Sequence, residues 1–159
     1  MPRSWLFKRY SASRGGQGAA WSVARLTAPW LMPPTDSEGC NDRLWSDALA
    51  EVNKLKSGFC GLTDGSVAGS RRLPNVKELQ SLMDFKFIRP ALPNTAGTGQ
   101  CSEGDPFSNV QNPDSHYFWA STTHANVTSY AWLVDINHGE AMGRAQATPR
   151  FVWPVRDCQ

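Results

Sequence analysis

The sequence predicts a loop-rich α+β domain, on three observations. Two stretches, 44–57 and 73–85, carry apolar residues at helical spacing. The stretch 117–156 instead alternates short apolar-aromatic runs with Gly, Asn, Pro and His, the pattern of consecutive short strands and tight connections. The 13 glycines, 11 prolines and 19% charged residues suit ordered loops around a core better than a disordered chain. At 159 residues the length fits one domain. The division expected is a basic, flexible lead over residues 1–25 and a single folded domain over 26–159.

In chain order, residues 1–25 combine Arg and Ser with a glycine cluster, and Trp5-Leu6-Phe7 is too short for the apolar centre of a secretory signal, which needs about 7–15 residues. Leu26–Met32 can form a short strand, confined to an edge by Pro29. Leu44–Ser57 reads as an amphipathic helix with Trp45, Ala48, Leu49, Val52 and Leu55 inward, Asn41 or Asp42 as cap, and Gly58 as terminator. Phe59–Arg72 is a Gly-rich connection in which Asp64-Gly65-Ser66 reads as a turn rather than a calcium loop. Leu73–Phe85 reads as a second helix. Asn75 and Glu78 have the spacing of a capping box, and Val76, Leu79, Leu82 and Met83 face inward. Lys86–Ser115 is a long loop with apolar pins at Ala91-Leu92-Pro93 and Pro106-Phe107. The strands that follow carry Trp119, Trp132 and Trp153, expected with Trp45, Leu73 and Pro74 to build the core.

Charge narrows the function classes. Arg3, Lys8, Arg9, Arg14 and Arg25 precede the first carboxylate, Asp36. From there on 11 basic residues face 14 acidic ones, a body of net −3. A basic face of the kind that reads nucleic acid is not advertised. No apolar run reaches about 18 residues, so no membrane-spanning segment is expected. Cys40, Cys60, Cys101 and Cys158 show neither CxxC nor Cys–His spacing, so no metal site is expected. Two disulfides are possible. Cys40–Cys60 is favoured because it ties the start of the first helix to the loop after it, leaving Cys101 with Cys158; buried thiols are the alternative.

Catalytic signatures are missing. Ser121, His124 and Asp135 make a triad only on paper, without a nucleophile elbow. His116, His124 and His138 lack metal-site spacing, and no phosphate loop, dinucleotide fingerprint or HExxH occurs. Asn126-Val127-Thr128 is a glycosylation sequon that matters only in a glycosylating host. The residues by themselves point to binding by a polar, aromatic-studded loop surface.

The segments RRLPNVKELQSLMDF, DPFSNVQ, YFWASTT, SYAWLVDINHGE and FVWPVR, in that order, resemble the successive motifs of the Lcl C-terminal domain family, named for a collagen-like bacterial adhesin. The resemblance covers roughly residues 26–156. It implies a C-type-lectin-like fold related to formylglycine-generating enzymes, with two helices packed on small twisted antiparallel sheets and the terminal strands together. It also implies an extracellular or envelope-associated bacterial or phage protein, although no signal peptide is visible. Arg71 stands where the family usually has Trp, and Leu44 where it has Thr or Ser. The calcium-dependent sugar triplets of C-type lectins and the cysteine context of the formylglycine-generating enzymes are absent, so no enzyme activity and no cofactor are carried over.

The function expected is a non-catalytic binding or adhesion module for a surface glycan, sulfated ones included, or a protein. Its ligand residues are expected among His124, Asn126, Asn137, His138, Glu140, Arg144 and Arg150, where Arg or His can pair with sulfate or carboxylate. The alternatives are a diversified receptor-binding protein of a diversity-generating retroelement and a structural envelope protein without a soluble ligand.

Overall fold

A computed structural model describes residues 25–26, 43–60, 62, 65–102, 107 and 116–156. In chain order the elements are β1 (Arg25–Leu26), α1 (Trp45–Val52), α2 (Val76–Gln80), β2 (Tyr117–Thr123), β3 (Tyr130–Asp135), β4 (Glu140–Ala145) and β5 (Val155–Arg156). The architecture is α+β. β2, β3 and β4 form an antiparallel sheet in that order, and β1 pairs antiparallel with β5. Phe151 runs parallel to β2: its C=O accepts the Trp119 N–H at 2.9 Å and its N–H reaches Tyr117 O at 3.2 Å.

Alternation along the strands sends side chains to two cores, one on each face of the three-stranded sheet. Phe118, Val134 and Ala141 pack with Leu79, Leu82, Leu92, Phe107 and Trp153. Trp119, Ala131, Leu133 and Met142 pack with Ala48, Val52, Leu73 and Val152. α2 serves the first face and α1 the second. Trp153 is fully buried, with Phe107 edge-on at 4.8 Å and Phe118 at 5.4 Å. Trp119 is fully buried and donates its Nε1–H to Arg43 O at 3.0 Å; Trp45 donates to Ala120 O at 2.8 Å. Trp119 and Trp45 therefore bury apolar area while the one polar atom of each ring stays satisfied. The pins Ala91, Leu92 and Phe107 are buried as expected, and so are Leu73 and Pro74.

Both helices are shorter than their periodicity predicts. α1 ends at Val52 rather than Ser57, because the following backbone bonds across to the next loop: Asn53 O accepts Gly69 N–H at 2.6 Å and Ser57 N–H donates to Ser66 O at 2.8 Å. Asn41 and Asp42 lie outside the described residues. Leu44 holds the cap position without a side-chain bond, and the Trp45 N–H is taken by Gln146 O at 3.2 Å. α2 spans only Val76–Gln80. Its capping box is complete, and Glu78 also meets Arg72 through two bonds of 2.8 and 2.9 Å. Tight bonds from Leu82 to Leu79 O and Met83 to Gln80 O then close the helix, after which the Asp84 N–H turns to Ala91 O.

Of the edge strand expected over Leu26–Met32 only Leu26 is among the described residues, paired in the two-residue β1 with Arg25; residues 27–42 lie outside the described set. Cys60 is buried and disulfide-bonded. Cys101 is not bridged: it remains a buried thiol directed at Ser102 O, against the expected Cys101–Cys158 pair. Cys40 and Cys158 lie outside the described residues. Arg71, in the position the family gives to Trp, is 1% exposed. Among the described residues no helix is long and apolar enough to cross a membrane.

Candidate functional site

The residues expected to bind ligand are not gathered into one site. The structure distributes them over both ends of the three-stranded sheet and a third position beside β2.

At the end where β2 turns into β3, the His124 N–H donates to Tyr130 O at 3.1 Å, and its Nδ1 accepts the Asn126 N–H at 3.3 Å. That bond makes Nδ1 the acceptor, so Nε2 carries the proton of the neutral ring. The imidazole stacks on Trp132 with centroids 5.5 Å apart and planes inclined 22°, and Tyr130 meets it edge-on at 6.4 Å. Room for this stack comes from β4. Gly143 pairs with Trp132, and a Cβ there would lie 2.8 Å from His124 Cδ2. Gln146 closes the loop through Nε2 bonds to Thr128 O and Tyr130 O at 3.2 and 3.1 Å. Arg144 alternates to the other face of β4 and returns a guanidinium N–H to Gly143 O at 3.1 Å. The product is a half-buried indole under an imidazole, with Asn126, Val127 and Tyr130 exposed in the same β2–β3 connection and Arg144 exposed on the opposite face of the sheet.

At the opposite end, Asn137, His138 and Glu140 belong to the β3–β4 turn. Asp135 is buried, and both carboxylate oxygens are engaged: Oδ1 accepts the Asn137 N–H and Oδ2 meets His138 Nδ1, each at 2.8 Å. Gly139, at φ +75°, donates to Asp135 O at 2.7 Å. Asn137 and His138 thus hold the turn, and Glu140 is exposed at the start of β4. Arg150 occupies the third position. Its backbone pairs with Arg43 and its guanidinium lies 5.1 Å over the Tyr117 ring, which His116 flanks at 4.0 Å.

The paper triad does not assemble, because Asp135 pairs with His138 while His124 stacks on Trp132 at the other end. Among the described residues no three His, Cys, Asp or Glu side chains converge on a metal position. Sequence reasoning placed Trp132 in the core with Trp119 and Trp153; the structure leaves it half-buried under His124. The signal was legible. Tyr130, Trp132 and Val134 alternate onto one face, and only Val134 reaches the core packed against α2.

A family model, the Lcl C-terminal domain, matches residues 15–156. No curated protein matches the chain.

Proposed function

Because the chain belongs to the Lcl C-terminal domain family, we propose that it is a non-catalytic binding module, with its ligand surface at the end of the sheet formed by His124, Asn126, Tyr130, Trp132 and Arg144. The observation that carries this reading is the stacked His124–Trp132 pair above Gly143. Stacked rings present a flat, rigid apolar face at low entropic cost, suited to the C–H face of a sugar ring. Asn126 supplies an amide, and Arg144, on the opposite face of the edge strand β4, supplies a charge for a sulfate or carboxylate of a ligand that reaches round that edge. Asn137 and His138 lie at the opposite end of the sheet, where the Asn137 backbone N–H and His138 Nδ1 meet Asp135, so this surface does not include them.

The same reading takes the fold as C-type-lectin-like. The pairing of β1 with β5 and the two short helices on either side of the central sheet support that assignment. It places the protein outside the cell or on the envelope of a bacterium or phage. It also joins Cys60 to Cys40, stapling the loop after α1 to the segment before it.

The test is binding of the whole chain to neutral, sialylated and sulfated glycans, with and without chelator and across salt concentrations. Salt-sensitive, chelator-insensitive binding to sulfated glycans is expected. Trp132→Ala is expected to weaken it about tenfold, the scale of one lost stacking contact, and Arg144→Ala to remove most of the salt dependence. Absence of binding to every glycan would sink the reading in favour of a protein ligand or an envelope scaffold.

A further inference from the structure

The opposite end of the sheet carries a second exposed surface that the ligand reading does not use. Phe85 is 71% exposed and Ile88 61%, the two most exposed large apolar side chains among the described residues apart from Val67. They sit on the tip of the loop between α2 and the buried pin Ala91-Leu92, interleaved with Lys86 and Arg89, both exposed.

The tip is a held shape. Asp84 N–H donates to Ala91 O at 2.9 Å, Phe87 N–H to Asp84 O at 3.0 Å, Arg89 N–H to Asn137 O at 2.8 Å, and Ala91 N–H to Ile136 O at 2.7 Å. The Gln100 amide binds Ile88 O at 2.7 Å and Pro90 O at 2.8 Å. The Phe85 ring lies against Gly139, where a Cβ would approach within 2.9 Å of it. These bonds fasten the loop to the β3–β4 turn and to the 93–100 segment, so its apolar side chains stay out in solvent with no core to turn into.

Charge decides what such a tip would meet. The body of the chain is net −3 from Asp36 onward, yet this ridge presents two cations. Its own acid, Asp84, is half-buried and turned back to accept the Lys86 N–H at 3.0 Å. Apolar side chains that protrude between cations match a bilayer interface with anionic headgroups: the rings and alkyl groups enter the acyl boundary while Lys and Arg remain at the phosphates. We propose that the Phe85–Arg89 tip docks the protein on an anionic lipid surface. The tip and the His124–Trp132 stack lie at opposite ends of β3, about 17 Å apart along the strand, so a molecule seated this way turns its ligand surface toward solution.

The experiment is co-sedimentation of the full chain with phosphatidylcholine vesicles and with vesicles containing phosphatidylglycerol, across salt concentrations. Binding to the anionic vesicles that falls with salt is expected. Phe85→Ser with Ile88→Ser should weaken it at least tenfold. Ile88→Ser alone, at a side chain in solvent, provides a variant whose folding is not at stake and should weaken it severalfold. Lys86→Glu with Arg89→Glu should lower the affinity by more than tenfold and flatten the salt dependence, at about fivefold per charge removed. Vesicle binding that survives both double variants would overturn the proposal. So would no vesicle binding together with self-association that Phe85→Ser/Ile88→Ser abolishes, which would assign the ridge to protein contact.

Discussion

Single residues set the two ends of the sheet, and glycines show it most directly. Gly139 must adopt φ +75° and must leave space for the Phe85 ring. Gly69, at φ +84°, has the same backbone demand with nothing within 4 Å of a Cβ. Gly69→Ala therefore measures the left-handed backbone cost, about 1 kcal/mol. Gly139→Ala is expected to cost about 1 kcal/mol more, because the ring must move as well. Urea unfolding of the two variants checks this, and equal costs would show that Phe85 yields freely. The Asp135–His138 contact makes a related point. Asp135, which the sequence offers only to a paper triad, is the buried last residue of β3, with its oxygens engaged by donors two and three positions on.

Among the elements, α2 has only five residues and cannot be stable through its own helical bonds. Its capping box, its packing on the sheet and the Arg72–Glu78 pair hold it. Asn75→Ala removes the side-chain acceptor for the Glu78 N–H at 2.9 Å and is expected to destabilise by about 1 kcal/mol. Glu78→Gln retains an acceptor for the Asn75 N–H and loses only the ion pair, which is partly exposed on the Arg72 side; about 0.5–1 kcal/mol is expected. Thermal denaturation of both variants separates cap from charge, and a larger loss for Glu78→Gln would show that the pair, not the cap, holds the helix. The capping box was legible because its spacing is local. Helix length was not, since long-range backbone bonds from 57 to 66 and from 84 to 91 ended both helices.

On the scale of the whole molecule, one sheet separates two cores, so damage to either face loosens the strands that the other face needs. Trp153→Ala, on the α2 side, and Trp119→Ala, on the α1 side, are each expected to destabilise by about 3–5 kcal/mol. Both should lower one shared transition rather than split it. Calorimetry of the two variants checks this, and two resolved transitions would show that the faces fold independently.

The sequence by itself determined the α+β class, the order of two helices followed by a strand-rich end, the strands of Trp119 and Trp132, the capping box, and most of the core, down to Leu73, Leu92 and Phe107; Trp153, expected on a strand, precedes β5, and β4 has no aromatic run to mark it. Those features rest on periodicity and on spacings of a few residues, which a linear reading contains. Only the tertiary structure decided that Trp132 departs from the other strand tryptophans to lie under His124, that Arg150 sits on Tyr117 far from Arg144, and that Phe85 and Ile88 stand in solvent. A side chain's burial depends on what the opposite strand and the distant loop place over it. For Trp132 that partner is a glycine eleven residues away, and for Phe85 it is another, fifty-four residues on.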